Sequence, residues 1–158
     1  MGALTNKQIE ELIELLRNYE LTIAALYDTF ARRLVSDGKV WTKFANEERL
    51  HANWISTLHN YLKNEKFSVE KTNLTIQSTK TAISYIEKQI EKTGESDLDM
   101  LKALSIAIDI EKSLFESAFF RIFQFNGSKA EKIQSQLIQA TKIHLEKLIQ
   151  WRLSEQEQ

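Results

Sequence analysis

Apolar residues recur along this chain at the three- and four-residue spacing of a helix face, and the rhythm breaks in very few places. The first stretch carries Ile9, Leu12, Ile13, Leu16, Ile23, Ala24, Tyr27, Phe30, Ala31 and Leu34. Thr5-x-x-Gln8 opens it, a pattern in which two side chains reciprocally cap the first backbone N–H groups. Ser36-Asp37-Gly38 stops it, which predicts a first helix over about 5–36. Trp41, Phe44, Ile55, Leu58, Tyr61 and Leu62 predict a second over about 39–63. The polar, aperiodic segment NEKFSVEKTNLT follows, and then Ile76, Ala82, Ile83, Ile86 and Ile90 mark a shorter helix over about 75–92, closed near Gly94. Ser96 or Asp97 would cap a third long helix over about 97–125, with its stripe at Leu101, Leu104, Ala107, Ile108, Leu114, Phe115, Ala118, Ile122 and Phe125 and its end at Asn126-Gly127. Ser128-x-x-Glu131 repeats the capping box before a fourth, over about 129–153, with Ile133, Leu137, Ala140, Leu148 and Trp151.

Four long helices and a short one in 158 residues predict a single all-α domain over 1–158, a left-handed four-helix bundle. The first-to-second and third-to-fourth connections are short and make antiparallel hairpins. The second-to-third connection is long enough to cross the bundle and contains the short extra helix. Composition agrees with this reading, since four Gly and no Pro leave few turns for a β-rich chain. The absence of Cys excludes disulfides, thiolate-bound iron and a Cys nucleophile. With 21 Lys and Arg against 22 Asp and Glu, there is no basic footprint for nucleic acid. No apolar run approaches the ~20 residues of a membrane span, and the early acidic residues Glu10 and Glu11 do not fit a signal peptide. The expected location is the cytoplasm, with no nucleic acid and no membrane as partner.

Each long stripe is interrupted once, near its middle, by polar residues. Counting in helical steps puts Glu20 on the core face of the first helix, Glu48 and His51 on that of the second, Glu111 on that of the third, and Thr141 and His144 on that of the fourth. In helices of similar length these groups meet at one level. Buried carboxylates at one level repel, and each costs several kcal/mol unless neutralised or coordinated. Two divalent cations would offset that cost, and carboxylate with imidazole suits Fe, Mn or Zn. The spacing also repeats: a Glu on one helix, then a pair three residues apart ending in His on the next, occurs twice. Glu47 points about 100° from Glu48 on the helical wheel, and with Asp109, Glu116 and Glu146 it is read as a solvated-face charge. His59 is read as a surface His, and Tyr27, Trp54 and Phe115 as core that lines the site at most.

Glu20 in NYELTIAALY, Glu48 and His51 in FANEERLHA, Glu111 in AIDIEKSLFESAF and His144 in ATKIHLEKL resemble the ferritin-like di-iron carboxylate superfamily, and within it the rubrerythrin-like branch, over about residues 8–152. That family takes a Glu from each of two helices and a Glu-x-x-His from each of the other two. The resemblance implies a ferritin-like bundle with two metal ions, iron first, held by Glu20, Glu48, His51, Glu111 and His144. It implies a non-haem oxidoreductase acting on peroxide, O2 or Fe(II), and a homodimer. Thr141 stands where the pattern has its remaining Glu, which puts occupancy of the second metal position in doubt. Lacking Cys, the chain has no rubredoxin domain, so an enzyme of this kind would draw electrons from an external donor. The alternative expectation is a degenerate bundle with a partial or single metal site that serves as a dimerising or partner-binding module.

Overall fold

The computed structural model describes residues 5–63, 67–69, 76–95, 97–116, 123–125 and 128–158. Five helices make up nearly all of them: α1 (Asn6–Arg33), α2 (Gly38–Leu62), α3 (Ile76–Glu95), α4 (Met100–Glu116) and α5 (Ser128–Gln156). Two three-residue strands, β1 (Phe67–Val69) and β2 (Phe123–Phe125), pair antiparallel with Phe67 opposite Phe125 and Val69 opposite Phe123. None of the described helices is long and apolar enough to cross a membrane.

The start of α1 is fixed as the capping box requires. Thr5 Oγ1 accepts from the Gln8 backbone N–H at 3.1 Å, and Gln8 Oε1 accepts from the Thr5 N–H at 2.9 Å. A short 3-10 turn over Val35–Asp37 reverses the chain. Gly38 suits that reversal because a Cβ there would lie 3.1 Å from the Ala31 carbonyl oxygen, a tighter approach than side chains normally make. The α1–α2 hairpin is antiparallel. Tyr27 and Phe30 pack on Trp41 (ring centroids 5.4 and 4.9 Å), Arg49 pairs with Asp28, and Arg17 Nε donates to Ser56 Oγ at 3.1 Å. Helix α5 runs antiparallel to α2, with Trp41 against Trp151 at 5.1 Å and Lys129 over the Tyr61 ring.

Helix α3 lies along α1 in the same direction. Lys80 pairs with Glu11 near the start, and Arg33 Nη1 donates to the Gly94 carbonyl near the end. At ~1.5 Å per residue its 20 residues span about 30 Å. The connection between α2 and α4 is therefore a helix that carries the chain back along the bundle. One core joins the stripes, with Leu12, Ile23, Tyr27, Phe30, Trp41, Ile55, Leu104, Leu137 and Leu148 among its buried members.

Three expectations need correction. The third long helix does not run to residue 125, because residues 123–125 are strand β2. The sequence Phe-Gln-Phe is as compatible with a strand as with a helical stripe, since aromatic residues favour a pleated surface. A partner in β1, inside the segment read as aperiodic, decides between them. The intervening stretch 117–122 and the Asn126-Gly127 stop lie outside the described residues, as does the proposed cap Ser96. The cap of α4 is Asp99 and not Asp97: Asp99 Oδ1 accepts from the Lys102 N–H at 2.7 Å. The short helix extends to Glu95, so Gly94 falls within its last turn.

Candidate metal centre

Near the middle of α1, α2 and α5, and in the last third of α4, the apolar stripes give way to buried polar side chains. Glu20 comes from α1, Glu48 and His51 from α2, Glu111 from α4, and Thr141 and His144 from α5; all six are at most 3 % exposed. The expected convergence is present. Glu48 is at its middle, and its two oxygens face different imidazoles. Oε1 lies 2.7 Å from His144 Nδ1, a hydrogen bond, and Oε2 lies 3.3 Å from His51 Nδ1, within ion-pair reach but without hydrogen-bond alignment. Each His has a second carboxylate on the same nitrogen: Glu20 Oε2 is 3.8 Å from His51 Nδ1, and Glu111 Oε1 is 3.7 Å from His144 Nδ1. The two imidazole rings are 5.0 Å apart. The arrangement is two half-sites, Glu20–His51 and Glu111–His144, on either side of a shared carboxylate.

Aromatic and acidic neighbours position these groups. Phe44 sets its edge against the His144 ring at 5.2 Å, and Trp54 stacks on His51 at 5.3 Å. The Tyr27 hydroxyl donates to Glu111 Oε1 at 2.9 Å, linking α1 to α4 at the level of the site. Glu47 Oε2 is hydrogen-bonded to His144 Nε2, on the side of the ring away from Glu48 and Glu111. Thr141 is buried but turned into its own helix, where Oγ1 donates to the Leu137 carbonyl at 2.9 Å.

Two of these contacts were not anticipated. Tyr27 is more than core packing, because its hydroxyl holds a site carboxylate. Glu47 is not a solvated-face charge; it is half-buried against His144. A signal for Glu47 was present, since it lies three residues after Phe44 and so shares the apolar face with Glu48, four residues after it. Asp109 and Glu146 are exposed as expected, His59 is half-buried 4.0 Å from Glu10, and the side chains of Phe115 and Glu116 lie outside the described ones.

The electrostatics follow from burial and crowding. Burial first, and then the Glu48 charge, hold the Glu20 carboxyl well above the usual carboxylate range. Burial opposes charge on the two imidazoles, but the carboxylates win. Glu20 and Glu48 push His51 up to about 10, and Glu111 and Glu48 push His144 up to about 11. Without an ion, protons balance the negative charge of this cluster. Burial and the neighbouring carboxylates also raise the Tyr27 and Tyr19 phenols, which stay neutral donors.

Do these residues fit a cation? Both oxygens of Glu20 and Oε2 of Glu48 are buried and have no hydrogen-bond partner, a costly state for carboxylate oxygens. Donor atoms of Glu48, His51 and His144 all lie within 4.8 Å of one another, close enough to share one ion. Carboxylate with imidazole is a donor set for Fe, Mn or Zn. A buried Glu48–His51–His144 group that could hold a metal ion is therefore present, with Glu20 and Glu111 beside it. Compared with protein-family models, with curated proteins and with solved structures, the chain matches none.

Proposed function

We propose that this chain is a non-haem di-metal carboxylate protein with a ferritin-like helix arrangement, and that it acts as an oxidoreductase on peroxide, O2 or Fe(II). The observation that carries the reading is the placement of Glu48, whose two oxygens each face one His while Glu20 and Glu111 flank the outer sides. The antiparallel α1–α2 hairpin, α5 antiparallel to α2, and the long return through α3 support the ferritin-like arrangement.

In this reading Glu20, Glu48, His51, Glu111 and His144 would hold the two ions, with iron the first choice. An iron pair, when bound, would supply the electrons for reducing peroxide or O2. The remaining work is done by the chain's own side chains. Glu47 accepts a hydrogen bond from His144 Nε2–H and so presents Nδ1 to the centre. Tyr27 keeps the Glu111 carboxylate in place. Phe44 and Trp54 pack against the imidazoles and exclude water. Electrons come from a separate donor, and the working unit is a homodimer in the cytoplasm.

Thr141 favours a second reading, because it offers the centre no carboxylate and its hydroxyl is committed to the Leu137 carbonyl. That reading is a partly loaded bundle acting as a dimerising or partner-binding module. One series separates the two: metal content of protein grown in iron-rich medium, then peroxide-dependent oxidation of added Fe(II), for the native chain and for Thr141→Glu. Two equivalents of iron and turnover by the native chain are expected. An inert native chain beside an active Thr141→Glu would establish the module instead, and a chain that holds no transition metal would sink both.

A further inference from the structure

The seam between α2 and α5 opens outside the metal centre into a pocket of about 370 Å3. Val40, Lys43, Phe44 and Glu47 line it from α2, and Lys147 and Trp151 from α5. That volume falls in the lower part of the range for small-molecule sites, ~300–1,000 Å3. Its walls are mainly apolar. Phe44 and Trp151 lie nearly parallel, 10° apart with ring centroids 6.3 Å apart, and Val40 is 42 % exposed beside them. A half-open apolar cavity is a place where an apolar body gains by leaving water.

The polar groups of the lining are asymmetric. Lys43 and Lys147 are exposed, and neither is in an ion pair among the described residues. The carboxylate in the lining, Glu47, is turned inward onto His144 Nε2. An incoming head group therefore meets two free ammonium groups, while the acid that would repel an anion already has a partner. We propose that this pocket binds a small organic acid, an apolar body of about eight carbons carrying one carboxylate. The apolar body lies against Phe44 and Trp151, and the carboxylate sits between Lys43 and Lys147. Glu47 lines the pocket and touches His144, so occupancy of the pocket and loading of the centre influence each other reciprocally. That coupling rests on the metal reading; the binding itself does not.

Octanoate tests the proposal, with octan-1-ol and octylammonium as controls, on the full-length metal-free chain. Titration calorimetry gives affinity, and the three indole N–H signals in NMR give location. Octanoate is expected to bind about tenfold more tightly than octan-1-ol, octylammonium more weakly than either, and the Trp151 indole to shift most, its neighbour Trp41 less, while Trp54 stays. Lys43→Gln with Lys147→Gln, both exposed, should erase the octanoate advantage and leave octan-1-ol unchanged; Val40→Trp should fill the pocket and weaken both. Octanoate no tighter than octan-1-ol, an advantage that survives the double lysine change, or a largest shift at Trp54 would overturn it. Binding without metal loading would refute only the proposed function, and loading without binding only the pocket.

Discussion

Glu47 shows how much one side chain adjacent to a donor set can decide. An imidazole that coordinates through one nitrogen usually donates its other N–H to an acceptor, and the acceptor fixes tautomer and basicity. Glu47→Gln replaces a charged acceptor with a neutral amide at His144 Nε2. Metal affinity is expected to fall about 10- to 100-fold, read by competition against a chromophoric chelator, with little change in helix content. Protons and ions compete here as well. The surrounding carboxylates push His51 up to about 10 and His144 up to about 11, against 6.5 for an ordinary His; His51 faces Glu20 and Glu48, and His144 faces Glu47, Glu48 and Glu111. A raised imidazole adds stability that is complete below pH ~6.5 and is lost as pH rises through the folded value. Glu20, also raised, acts in the same direction. The melting temperature of the metal-free chain should therefore fall steadily from pH 6.5 to 10, while that of the loaded chain stays nearly level. Loading near pH 7 should release about two protons per chain, one from each imidazole, measured by calorimetry in buffers of different ionisation enthalpy; no release would mean the imidazoles were never charged.

At the scale of elements, what was legible in the sequence depended on the kind of signal. Glu20, Glu48, His51, Glu111 and His144 could be placed at one level because each sits at a fixed helical step from unambiguous core residues, and all five are buried together. The start of α1 was equally plain, since a capping box is a local pattern with a local cause. Strand β2 was not, because Phe-Gln-Phe fits either period and its partner β1 is more than fifty residues away in the chain. The Tyr27 hydroxyl was missed for a similar reason, since its role is a contact with α4, and for Glu47 the spacing from Phe44 gave the face but not the partner His144 on α5. Caps are testable singly. Asp99→Ala should cost about 1 kcal/mol and lower the melting temperature by roughly 2–4 °C, whereas Asp97→Ala should stay within ±0.5 kcal/mol. Equal effects would put the start of α4 elsewhere.

For the whole molecule, the crossover determines which surfaces remain available. Helix α3 follows α1 from Glu11 to Arg33 and covers that flank of the hairpin. The seam of α2 and α5, with Val40 and the Phe44–Trp151 wall, stays open. A chain with a formal charge of -1 gathers its buried carboxylates at its centre: among the described residues no Lys or Arg is buried, and His is the base available there to balance them.

The Glu48–His144 and Tyr27–Glu111 hydrogen bonds join residues 96 and 84 positions apart in the chain. Contacts of such long range carry a large loop-closure entropy and tend to form late in folding. If the donor set closes only after the hairpins have docked, an ion finds no preformed site on the way to the transition state. Iron should then slow unfolding in stopped-flow denaturant jumps, by a factor that grows with its free concentration, and leave the refolding rate unchanged. Faster refolding in the presence of the ion would mean instead that the four helices assemble around it.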